Sequence, residues 1–113
     1  MKVENSRELF SKYCNPEEFV RIVEKDTVVE MWRDVIKEFK DDVAIEDLGN
    51  KYTYAQLDQD MAEYRGVLAA KGLKKGDRIG VFAKNSYDLV KMYLAGVTLG
   101  LVVAILPGHF DRW

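Results

Sequence analysis

A single cysteine, Cys14, stands among the 113 residues, so the chain forms no internal disulfide and has no stapled framework of the secreted kind. Its eight glycines are isolated, and no G-x-x-x-x-G-K-S/T run or other glycine-rich phosphate loop occurs. Histidine is also scarce: His109 is the only one, and it lacks the neighbouring cysteine or carboxylate pair that metal-ligand spacing requires. An excess of one charge is missing too. The 17 basic and 19 acidic residues leave a net −2 with no basic block, which excludes the electrostatic footprint of a nucleic-acid binder. Met1 to Phe10 carry charges throughout and lack an apolar signal core. These absences point to a cytoplasmic address.

What is present is ordinary for a folded chain. The composition is 48% hydrophobic and 32% charged, against wholesale disorder and in keeping with one small domain. From Met92 to Gly108 no side chain is charged, and that run reaches the short edge of the roughly 17–25 residues that span a bilayer. It is interrupted by Gly96, Gly100, Pro107 and Gly108. Gly96 and Gly100 have G-x-x-x-G spacing, which we read as close helix-on-sheet approach, not membrane dimerisation.

The chain resolves into elements by period and punctuation. Asn15-Pro16-Glu17-Glu18 reads as a helix start, with an Asn cap, proline at the first position and acids at the positive end. Phe19, Val20 and Val23 would face inward. Thr27 to Glu30 forms a capping box, after which Val28, Met31, Trp32, Val35, Ile36 and Phe39 recur on one helical face. Asp41-Asp42 stops that helix. Val43-Ala44-Ile45 and Lys51-Tyr52-Thr53 read as the arms of a hairpin turned by Leu48-Gly49-Asn50. Thr53 and Gln56 box the next helix, whose buried stripe is Leu57, Met61, Tyr64 and Leu68, with Gly72 as its terminator.

Lys75-Gly76-Asp77 is a turn into the apolar run Ile79-Gly80-Val81-Phe82-Ala83. Asn85-Ser86 opens a further helix with Leu89, Val90, Tyr93, Leu94 and Val97 inward, and Gly100 closes it. Leu101 to Leu106 is a second apolar strand. Strand, helix and strand with both strands apolar throughout predict a right-handed βαβ unit whose parallel strands are covered on both faces. The fold class is therefore α/β: a partial subdomain with a β-hairpin and a βαβ unit, flanked by helices. Two parallel strands make a narrow sheet with open edges, and the expected remedy is sequence beyond Trp113 or a partner chain.

In this order the features resemble the start of the adenylate-forming superfamily, which includes acyl-CoA synthetases, aryl-acid AMP ligases, peptide-synthetase adenylation domains and luciferases. The matching stretches are Val43 to Asp47, Tyr52 to Leu57, Gly72 to Val81, Lys84-Asn85-Ser86, and Tyr93-Leu94-Ala95 leading into Leu99 to Val103. On this resemblance residues 1–26 are a helical lead-in and 27–113 the incomplete start of an amino-terminal ligase domain. The family's usual proline falls on Ile105, and the proline comes instead at Pro107. The wording Ala104-Ile105-Leu106-Pro107-Gly108-His109 looks like that of aryl-acid AMP ligases of the 2,3-dihydroxybenzoate kind.

The resemblance implies a ligase that forms an acyl-adenylate from ATP and a carboxylic acid, then passes the acyl group to coenzyme A or a carrier-protein thiol. ATP and Mg²⁺ are implied for the full-length enzyme and none for this segment, because the family's phosphate loop, acid and lysine motifs lie downstream. No residue is carried over as catalytic, cofactor-binding or metal-binding. His109 reads as a loop residue at a strand end, Cys14 as an idle thiol, Trp32 and Phe39 as core, and Lys74-Lys75 as a solvated turn. The partners expected are the remainder of a ligase chain or a second copy closing the sheet edge, with neither nucleic acid nor membrane. A second reading is a stand-alone interaction module that keeps the scaffold without the chemistry.

Overall fold

Threonine, serine and glycine at the ends of apolar stretches dictate where this chain turns, and the structure follows them closely. The computed structural model describes residues 12, 13, 15, 17 and 27–106, and the chain divides into two compact units, Met1–Asp34 and Val35–Trp113. In the first unit, the Asn15 Oδ1 accepts the Glu17 N–H at 3.0 Å, as expected of an Asn cap. Phe19, Val20, Val23, Cys14 and His109 lie outside the described residues.

Helix α1 spans Val28–Phe39. Its cap is Thr27, whose Oγ1 accepts the Glu30 N–H at 3.1 Å. The apolar stripe is present but no residue on it is fully buried. Val28, Met31 and Phe39 are each 37% exposed, so Phe39 is not the core residue its spacing predicts.

Strands β1 (Val43–Asp47) and β2 (Asn50–Thr53) form the antiparallel hairpin. Both turn residues have positive φ, Leu48 at 51° and Gly49 at 82°, which is the pattern of a tight hairpin turn whose twist matches the strands. Leucine at such a position is uncommon, and Leu48 is almost wholly exposed. Thr53 then ends β2 and caps helix α2 (Tyr54–Ala70), its Oγ1 accepting the Gln56 N–H at 3.1 Å. Leu57, Met61 and Leu68 are buried with exposures of 2%, 0% and 6%; each such side chain contributes about 1.5–3 kcal/mol relative to leaving it in water. Gly72, at φ 87°, terminates α2 as predicted. Its N–H reaches the Ala69 carbonyl at 3.0 Å while the Leu73 N–H reaches Leu68 at 3.3 Å, the two-bond closure that only a left-handed residue allows.

A turn through Lys75 and Gly76 leads into β3 (Arg78–Phe82). The Asp77 carboxylate accepts the Lys74 N–H at 2.9 Å, and the Asp77 N–H returns to the Lys74 carbonyl at 3.0 Å. Ser86 caps helix α3 (Tyr87–Leu99) by accepting the Leu89 N–H at 3.2 Å, and Gly100 closes it at φ 88°. Strand β4 (Val102–Leu106) pairs parallel with β3 in continuous register from Arg78↔Val102 to Phe82↔Leu106. The core lies between these strands and the helices, around Leu68, Ala95 and Leu101 with Tyr64, Leu73, Ile79, Leu99 and Val103 against them.

Two expectations need correction. The parallel strands are not covered on both faces. Phe82, Val102 and Leu106 are 56%, 54% and 40% exposed, because the helices lie over the opposite face, the one carrying Ile79 and Val103; even there the cover stops short of Ile105, which is 50% exposed. Leu89 is buried as predicted, but further along α3 the inward face is rotated from the predicted one. Ala95 and Gly96 are buried while Tyr93 is exposed. The reason is Gly96, where a Cβ would stand 2.7 Å from Val103 Cγ2 and 3.3 Å from Ile79 Cδ1. The helix seats its smallest residues on the strands, so the bulky ones flank the contact.

Helix propensity alone makes either helical glycine worse than alanine by about 1 kcal/mol. Gly66 in α2 has nothing within 4 Å of an added Cβ, so Gly66→Ala should stabilise by up to about 1 kcal/mol. Gly96→Ala should destabilise by about 1–3 kcal/mol through overpacking. Urea unfolding of both variants checks the contrast, and stabilisation by both would refute the close seat of α3 on the sheet.

Candidate functional site

Among the described residues most polar side chains with a hydrogen bond serve turns and caps, but one group gathers residues from four elements. Asp47 ends β1, Tyr52 lies in β2, Asp60 is in α2 and Tyr87 opens α3. The Tyr87 ring stacks on that of Tyr52, with centroids 3.7 Å apart and planes within 5°. Its hydroxyl donates to Asp60 Oδ2 at 2.5 Å, and its backbone N–H donates to Asp47 Oδ2 at 3.0 Å. Tyr87 is 6% exposed. Burial first, then the hydrogen bond to Asp60 and that carboxylate's charge, hold the Tyr87 phenol far above its ordinary titration range. The proton stays on the phenol at any physiological pH.

This arrangement also decides what the start of α3 can do. A helix N-terminus attracts anions through its free N–H groups and dipole. Here the Tyr87 and Leu89 N–H groups already bond Asp47 and Ser86, and the Asp47 carboxylate stands where a phosphate would have to come. The start of α3 therefore does not fit a triphosphate with its Mg²⁺. Among the described residues, no group of three or more His, Cys, Asp or Glu side chains could hold a metal ion.

Two grooves flank the core. One of about 350 Å³ lies between α2 and α3, lined by Asp60, Glu63, Tyr64, Val67 and Lys91. Lys91 Nζ sits 3.2 Å from Asp88 Oδ1 and 6.0 Å from the centre of the Tyr64 ring. The other, of about 310 Å³, runs beside β3, lined by four consecutive residues of that strand with Tyr64 and Leu68 of α2, Lys71 at its C-cap and Met92 of α3.

Of the residues weighed from sequence, Lys74 and Lys75 are exposed. The Lys75 stem also passes over Gly100, where a Cβ would meet Lys75 Cγ at 3.0 Å. Trp32 is half-buried on α1. The four-residue junction was missed. Asp47 and Tyr52 read as hairpin residues and Asp60 as a polar helical position, and nothing local links residues 27 and 40 positions apart. Among the described residues no helix is long and apolar enough to cross a membrane; the charge-free stretch is divided between the end of α3 and β4.

Comparison with known proteins adds the family. Residues 32–112 match the family described as AMP-binding enzyme. Acyl-CoA ligase SID4 of Ajellomyces capsulatus is 34% identical over 60 residues, 53% of this chain and 10% of that protein. The mitochondrial medium-chain acyl-CoA ligase ACSF2 of Danio rerio is 37% identical over 62 residues, 54% of this chain and 10% of that protein. Among solved structures, the N-terminal subdomain of Klebsiella oxytoca NpsA superposes with a TM-score of 0.71 at 25% identity, covering 74% of this chain and 22% of the subdomain. The same subdomain has been solved in complex with 3-hydroxyanthranilyl-AMSN. The chain thus spans about a tenth of the length of the curated relatives it matches.

The junction makes its own prediction. Tyr87→Phe removes one donor to a carboxylate and should cost about 1–2 kcal/mol at neutral pH. A phenol whose folded titration lies above the ordinary value of about 10 stabilises fully below that pH and loses its contribution as pH rises past it. The gap between the native sequence and Tyr87→Phe should therefore narrow above about pH 10. Urea unfolding at pH 7 and in the alkaline range measures it; a gap that stays constant would remove the hydroxyl from this role.

Proposed function

We propose, from the premise that this chain belongs to the AMP-binding enzyme family, that it is the amino-terminal piece of an ATP-dependent carboxylic-acid ligase. Residues 1–26 would be a lead-in and 27–113 the start of the ligase domain. The observation that carries the reading is the family match over residues 32–112 on a chain whose hairpin, helices and parallel strand pair superpose on the NpsA N-terminal subdomain. The reaction proposed for the whole enzyme joins a carboxylate to the α-phosphate of ATP, releasing pyrophosphate, and then exchanges AMP for a thiol. Coenzyme A is the acceptor suggested by the acyl-CoA ligase relatives, and a carrier-protein thiol is the other.

The part assigned to this segment is structural. Its α3 N-terminus is filled by its own Asp47 and Ser86, and it supplies no group to the phosphates or the metal. The sheet it begins would continue with further strands of the ligase, which would also cover the open face of Phe82, Val102 and Leu106. An aryl acid is the substrate class favoured by the Leu106-Pro107-Gly108-His109 wording, and the 3-hydroxyanthranilyl complex of NpsA lends it support. Medium-chain aliphatic acids, suggested by the ACSF2 relative, are the competing class. A cytoplasmic setting belongs to the same proposal, against the mitochondrial one named for ACSF2.

ATP–pyrophosphate exchange tests the reading. The native gene product, offered aromatic and medium-chain aliphatic acids, is expected to exchange label with an aromatic acid, whereas the 113-residue polypeptide alone is expected to exchange none. Exchange by the short polypeptide would overturn its purely supporting role. A native product that fails with every acid would overturn the ligase, and one that accepts only aliphatic acids would overturn the aryl assignment.

A further inference from the structure

We draw no further inference here: the strongest candidate, the groove of about 350 Å³ between α2 and α3 lined by Asp60, Glu63, Tyr64, Val67 and Lys91, carries none, because Asp60 and Lys91 already bond Tyr87 and Asp88 within the chain and nothing in the structure shows what covers it.

Discussion

The Tyr87 side chain is the fixed point of the structure. A hairpin and a two-stranded parallel sheet cannot organise each other through backbone bonds, since they are separate sheets. Besides the packing of α2 on α3 and the Arg65–Thr98 hydrogen bond, one residue links them: it stacks on β2, donates its phenolic proton to α2 and presents its N–H to the end of β1. A buried phenol and a carboxylate are each costly to leave unpaired, so each holds the other in place. The same N–H to Asp47 bond fixes where α3 starts, and that start sets which residues of the helix meet the strands. From there the seat of Gly96 on Val103 and Ile79 follows.

Local chemistry was legible in the residues and long-range chemistry was not. Thr27, Thr53 and Ser86 announce their helices because a cap is decided within three residues. Gly72, Gly76 and Gly100 announce turns because only glycine takes a positive φ freely. The α/β class, the hairpin and the parallel pair followed from these marks and from apolar runs of the right length. The Tyr52–Tyr87 stack and the Asp60 bond had no such mark, because each joins residues whose proximity the fold creates. The rotation of α3 was hidden for a different reason. Hydrophobic periodicity favours large residues for the core, while close packing against a sheet selected Ala95 and Gly96, the small ones. Leu48 at positive φ was hidden because the turn was recognised from its neighbour Gly49.

The same reasoning explains why continuous apolar strands misled. A run such as Leu101 to Leu106 normally means burial on both faces, yet in the described residues only the side carrying Val103 is covered, and only in part, with Ile105 half exposed. The sequence pattern reports what the strand is built to meet, and the structure reports what this segment supplies. Their difference is one sheet face, the one that carries Phe82, Val102 and Leu106.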